Sequence, residues 1–286
     1  MIGVYPVEQV RAAEWELMAV LPAGALMQRA AFALSVRCAR VLSESSGSVV
    51  GSRVVVLIGG GNNGADAMWA AVLLAGRGVQ VSAILVTRTP EPTAAGAMRA
   101  AGIAMCEFSE ECDVLIGSAD LVVDGMTGIG AAGPLREPAA SCARAANALA
   151  SLVVSVDIPS GVDADTGAVA GDAVSADVTV TFGALKPGLL NAPGAMHCGS
   201  IDLVDIGLGN TLPQARMHVL DDSDIVRWYR PGTPTDHKYS RGVVLIAAGS
   251  AQYPGAGLLA VAGALSVGPG MVQILARAPR PSDIDP

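Results

Sequence analysis

Aromatic and charged residues are scarce in this sequence: Phe, Trp and Tyr fill 3% of its 286 positions and Asp, Glu, Lys and Arg 15%. Without large rings, Ala, Val, Leu and Gly must build the core, which suits helices packed closely on a sheet. Basic runs are absent. With 18 Lys and Arg against 26 Asp and Glu the net charge is −8, which argues against a nucleic-acid surface. Only three histidines occur, His197, His218 and His237, and none lies near a cysteine in a ligand-like spacing. The five cysteines, Cys38, Cys106, Cys112, Cys142 and Cys198, are scattered and form no C-x-x-C pair. A zinc site and a disulfide framework are therefore not expected, and free thiols in a reducing cytoplasm are. G-x-S-x-G, H-E-x-x-H and Walker A motifs are all missing. No signal peptide is read at the N-terminus, where Arg11, Glu14 and Glu16 interrupt any apolar region.

Apolar residues are plentiful, at 51%. That excludes disorder and allows a sizeable core in one or two domains. No charge occurs between Arg241 and Arg277, which raises the question of a membrane span. Pro254, Pro269 and repeated glycines break the run, so strand, helix, strand is the better reading and no membrane partner is expected.

Upstream, helices are expected at 8–19, 25–42, 66–75, 92–101 and 138–150. Buried strands are expected at 49–58, 80–86, 121–124, 152–157 and 178–182, with weaker candidates at 201–204 and 217–220. The alternation predicts an α/β fold, a three-layer sandwich with a mostly parallel sheet. Residues 213–236, rich in Asp, Arg and Pro, read as a connector to a fresh strand–helix–strand start.

Ligands of such sheets bind beyond the carboxyl ends of the strands, and three segments converge there. Gly59-Gly60-Gly61-Asn62-Asn63-Gly64 matches G-x-G-x-x-G between a strand and a helix. Its glycines permit close backbone approach to a pyrophosphate, with a purely structural turn as the lesser alternative. Asn62, Asn63 and Asp66 add two amides and a carboxylate, more polar groups than one helix cap requires. Asp124 ends a buried strand before the Gly-rich loop 125–133, and Asp157 ends another before Ile158-Pro159-Ser160-Gly161. Each carboxylate suits a ligand or ion, or a loop cap. Lys186, in an apolar neighbourhood, reads either as a phosphate or carboxylate partner or as a snorkelling surface lysine.

Taken in order, these segments resemble the NAD(P)H-hydrate epimerase family, the YjeF N-terminal domain. The resemblance rests on Gly59 to Ala67, on Asp124 with Gly128-Ile129-Gly130, on Val156 to Val162, on Thr181-Phe182-Gly183 and on Lys186-Pro187-Gly188, with Leu26 to Ala30 at its start. It covers roughly 1–212. Residues 237–286, opening on His237-Lys238-Tyr239-Ser240-Arg241-Gly242, resemble the start of a ribokinase-like, ADP-dependent NAD(P)H-hydrate dehydratase. Most of that partner domain is missing, so no dehydratase activity is expected.

The resemblance implies a Rossmann-like fold and the interconversion of the R and S forms of hydrated NADH and NADPH, NADHX and NADPHX. It implies Asp157 as the catalytic residue and one potassium ion held by Asn63, Asp124 and Ser160. Asn62, Asn63, Gly64, Ala65, Asp66, Gly128, Ile129, Gly130, Ala131, Ala132, Gly133, Pro134, Asp157 and Lys186 would line the dinucleotide. A homodimer is implied by the resemblance alone. Ala65 and Ala67 replace the family's usual glycines, and strain is expected if either needs positive φ. The rival reading is a non-catalytic dinucleotide-binding or protein-partner module of the same fold. An ordinary NAD(P) oxidoreductase is weaker, because Thr87-Arg88 stands where a ribose-binding acid belongs.

Overall fold

The computed structural model describes residues 1–250 and 252–275 and divides after Leu220. The first unit begins with β1 (Ile2–Val4), α1 (Val7–Met18) and α2 (Ala25–Ser46). Then β2 (Arg53–Ile58), α3 (Asn62–Ala75), β3 (Gln80–Leu85), α4 (Pro92–Ala100), β4 (Ala104–Glu107) and α5 (Cys112–Ser118) alternate. They are followed by β5 (Leu121–Gly125), α6 (Ala139–Leu149), β6 (Val153–Val156), β7 (Val178–Phe182), β8 (Ser200–Val204) and β9 (Met217–Val219).

Seven strands form one parallel sheet in the order β4-β3-β2-β5-β6-β7-β8. Strand alternation explains the layers. Val54, Val56, Ile58, Leu121 and Val123 face α2, α3 and α4, whereas Val55, Leu57 and Val122 face α5 and α6. Both faces are buried, so β2 and β5 read as continuous apolar runs, as parallel strands do. β9 pairs antiparallel with β1, which carries the unit past the expected limit of 212 to Leu220.

Two local expectations change. α3 starts at Asn62, not Asp66, which puts Asn62 and Asn63 in its first turn. Ala65 and Ala67 lie inside this helix and are fully buried, and Asp157 is the non-glycine residue with positive φ among the described residues. The expected alanine strain is therefore absent. They pack as core, and the Cβ of Ala67 lies against Gly125.

The second unit holds α7 (Asp222–Trp228), β10 (Val243–Ile246), α8 (Pro254–Val267) and β11 (Met271–Ile274). β10 and β11 pair in parallel, so the uncharged run is strand, helix, strand. No helix among the described residues is long and apolar enough to cross a membrane. α7, expected as connector, closes on a reciprocal capping box between Asp221 and Asp224. The expected segment beyond residue 275 lies outside the described residues.

Candidate active site

The strand order reverses between β2 and β5, so their following loops diverge and open a crevice. Two glycines hold that crevice together. A Cβ on Gly59 would stand 1.7 Å from the Met126 carbonyl oxygen, and one on Gly64 2.2 Å from the Gly59 carbonyl oxygen. These glycines are thus required by the protein's own backbone. Gly61, with open space around it, is the one that lines the cavity.

The cavity, about 890 Å³, is bounded by Arg11, Glu14 and Trp15 of α1, Leu26 and Met27 of α2, and Asn62, Asn63 and Asp66 of α3. Gly128 to Ala131 and Asp157 complete the wall. No side chain caps the N-terminus of α3, so its first-turn amides are free for an anion. A second cavity of about 360 Å³ is lined by Gly59, Gly60 and residues 131–137, and shares Met126, Thr127 and Ala131 with the first.

Asp157 follows β6 with φ of 64°, a left-handed conformation that Asp tolerates better than most residues and that recurs at functional sites. Its Oδ1 accepts from Lys186 Nζ, from Thr181 Oγ1 at 3.1 Å and from the Phe182 amide at 3.2 Å. Lys186 also donates to Thr181 Oγ1 at 2.9 Å and to the Phe182 carbonyl at 3.0 Å. Its side chain is 1% exposed, and all three contacts stay inside the protein. Lys186 lines neither cavity and sits against Asp157, which does line one.

Asp124 is fully buried at the end of β5. Ser155 Oγ (2.9 Å), the Ser160 amide (2.8 Å), Ser160 Oγ (2.6 Å) and the Met126 amide (3.2 Å) all donate to it. Burial still pushes its carboxyl above the ordinary range, with those donors opposing. Asn63 Nδ2 donates to the carbonyls of Thr127 at 2.7 Å and Val156 at 2.8 Å, and the Thr127 amide donates to Ser160 Oγ. The three expected ion ligands are therefore brought together, with two backbone carbonyls between them. A carboxylate, a hydroxyl, a side-chain amide and two carbonyls form an oxygen-rich set, which suits a hard alkali cation.

Asp66 differs from both. Its Oδ1 is sealed from water with no hydrogen-bond partner. Burial, then the charges of Asp157 and Glu14, raise its carboxyl well above the usual range. Glu14 is raised chiefly by burial and then by Asp157, while Lys186 and Arg11 oppose.

Residues 23–188 match the model of the YjeF-related protein N-terminus. The chain belongs to this family. The bifunctional NAD(P)H-hydrate repair enzyme Nnr of Mycobacterium tuberculosis (strain CDC 1551 / Oshkosh) is 44% identical over 274 residues, which cover 94% of this chain and 54% of that protein. The chain thus spans about half the length of the first such relatives. The NAD(P)H-hydrate epimerase of Microbacterium testaceum is 39% identical over 241 residues, covering 82% of this chain and 90% of that one. In fold, the crystal structure of yeast ynu0 superposes with a TM-score of 0.63 at 19% identity, over 77% of this chain and 98% of that one.

Within the family's matched span, Asn62, Asn63, Asp66, Gly128, Ile129, Gly130, Ala131 and Asp157 line the larger cavity. Ala132, Gly133 and Pro134 line the smaller one, and Gly64 and Ala65 are buried behind the turn. Arg11, Glu14 and Trp15 lie before the matched span and were missed. The apolar face of α1 was legible, but nothing in its spacing says that the polar face meets a cavity.

Proposed function

We propose that the first unit interconverts the R and S forms of hydrated NADH and NADPH, as part of nicotinamide nucleotide repair. The observation that carries this reading is Asp157, a carboxylate on a strained turn, tied to a buried lysine and facing the cavity at the switch point. The epimerase name of the Microbacterium testaceum relative, aligned over most of both chains, supports it.

The chemistry asks little. Carbon 6 of the hydrated ring bears both a hydroxyl and the ring nitrogen. The nitrogen lone pair helps expel the hydroxyl, and water returns to either face. Proton donation to the departing oxygen and proton removal from the entering water suffice. Asp157 takes the latter role, held in place by Lys186, Thr181 and the Phe182 amide. The first-turn amides of α3, Asn62 and the loop 128–134 hold the dinucleotide, which spans the two cavities. With a net charge of −8, the phosphates must be met by backbone amides, a helix end and Arg11 in place of a basic surface.

Asn63, Asp124 and Ser160 would hold potassium, which supplies fixed positive charge beside an anionic ligand. The second unit would belong to the dehydratase half that the resemblance of residues 237–286 implies, and the similarity to a bifunctional repair enzyme over 94% of the chain supports that.

The decisive test follows the R/S equilibration of hydrated NADPH, first in potassium and then in sodium. Wild type should exceed the uncatalysed rate in potassium, and Asp157→Asn should lose the acceleration. Asn is the cleaner replacement, because Ala would add backbone strain at φ of 64°. An Asp157→Asn protein with the wild-type rate would remove Asp157 from the reaction. Dinucleotide binding without acceleration would make the chain a binding module.

A further inference from the structure

Three aspartates gather at this site, and the protein satisfies them unequally. Asp124 receives four hydrogen bonds. Asp157 receives an ammonium, a hydroxyl and a backbone amide. Asp66 lines the cavity, yet its Oδ1 has neither water nor a donor. A carboxylate oxygen so placed has lost hydration and gained nothing, whereas a neutral carboxyl tolerates the same place well.

We propose that Asp66 is a second catalytic residue of the epimerisation: it rests protonated and gives its proton to the hydroxyl leaving ring carbon 6, while Asp157 receives the proton of the incoming water. This inference rests on the epimerase reading above. The groups facing Asp66 favour it. Asp157 beyond β6 and Glu14 on α1 both hold its carboxyl up, after burial. The nearby cations act elsewhere: Lys186 is spent on Asp157, and Arg11 and Lys186 offset Glu14. Two carboxyls facing one cavity share a proton more readily than they both ionise. Asp157 has the Lys186 ammonium beside it, and the Asp66 Oδ1 has no donor.

The step balances. The C6–O bond breaks as the nitrogen lone pair forms a C6–N double bond, and the oxygen leaves as water carrying the Asp66 proton. A water then bonds to the opposite face of C6, the double-bond pair returns to nitrogen, and the surplus proton passes to Asp157. The reverse epimerisation starts from that state, with the proton on Asp157 and Asp66 ionised. The proton returns to Asp66 by this reverse turnover or by exchange through the open cavity. No oxidant or other co-reactant is consumed.

Asp66→Asn tests this, since the amide keeps the shape and a hydrogen-bond donor but has no transferable proton. Its kcat for hydrated NADPH should fall about 10²–10⁴-fold, the usual worth of a general acid, with KM little changed. Wild type should lose rate as pH rises through the Asp66 titration, and the residual activity of the variant should not. A melting curve like that of wild type establishes that the variant is folded. In parallel, infrared difference spectra of the wild-type protein at the pH of the assay should show a protonated carboxyl band that is missing in Asp66→Asn. Wild-type kcat in the variant, or no such band in wild type, overturns the proposal. The two readings fail differently. A wild-type protein that does not accelerate equilibration sinks the epimerase reading and this role with it. Loss of rate in Asp157→Asn but not in Asp66→Asn sinks the second acid alone.

Discussion

Replacing Lys186 by Met is the sharpest test of how the site is held. The ammonium is almost wholly enclosed, and its three acceptors are Asp157 Oδ1, Thr181 Oγ1 and the Phe182 carbonyl. Met fills a similar volume, so packing is nearly conserved and the change is chiefly electrostatic. It strands the Asp157 carboxylate without its counter-charge. Breaking a buried ion pair from one side costs about 3–5 kcal/mol. Asp157 keeps 12% of its side-chain surface, so some hydration returns and the lower figure, about 3 kcal/mol, applies. For a unit the size of Met1–Leu220, each kcal/mol lowers Tm by about 2–4 °C, so a fall of about 6–12 °C is expected. The double variant Lys186→Met with Asp157→Asn removes both charges, and Asn keeps the left-handed turn. It should melt above the single Lys186→Met variant. Calorimetry on the full chain reads both. A Lys186→Met protein melting within about 2 °C of wild type, or a double variant melting below it, refutes the reasoning that this pair is a buried, mutually dependent unit.

Further outcomes follow from the same geometry. The Asp66 carboxyl is raised above 3.8 in the folded protein, so the native state holds a proton that the unfolded chain releases. Its stabilising contribution is complete below that pH and is lost as pH rises through the raised value, by up to about 1.4 kcal/mol per pH unit. Urea unfolding of Asp66→Asn against wild type should show the gap moving in favour of Asn as pH climbs. A constant gap refutes it. Gly59→Ala would drive a Cβ into the Met126 carbonyl, costing about 1–3 kcal/mol and prising the β2 and β5 loops apart. A lowered Tm is expected, and a wild-type melt would argue against that close approach. Cys106 is the exposed thiol, whereas Cys38, Cys112, Cys142 and Cys198 are buried. Burial pushes Cys38 up to about 12 and Cys198 to about 11. Disulfide-exchange titration of the folded protein should therefore find one accessible thiol, and slowly, because burial and the nearby Cys112 also raise Cys106. Several fast thiols would contradict the packing.

Much of the fold was legible because parallel strands buried on both faces leave unbroken apolar runs. Arg53 to Ile58, Leu121 to Val123 and Val178 to Phe182 show this directly. The elements that escaped lack that signal. β1 is three residues long, and β4 is an edge strand whose Ala104, Cys106 and Glu107 are exposed. α5 is a seven-residue helix containing Gly117. α7 did carry a signal, the Asp221–Asp224 box, but its acidic surroundings read as a connector.

The sequence by itself determined the family, the α/β class, and which residues stand at the ends of β2, β5 and β6. These depend on local patterning and on motifs a few residues long. Only the tertiary structure decided what those residues do to one another. Asp66, Asp124 and Asp157 look alike in the sequence, each an acid beside a glycine-bearing loop. Folding gives Asp124 four donors, Asp157 an ammonium brought from 29 residues downstream, and the buried Oδ1 of Asp66 no donor. Burial and hydrogen-bond supply set a carboxyl's charge, and both come from chain segments distant in sequence. For the same reason Lys186, which the sequence left open as a phosphate partner, a carboxylate partner or a snorkelling surface lysine, proves to be the buried partner of Asp157, and the polar face of α1 proves to be a wall of the site.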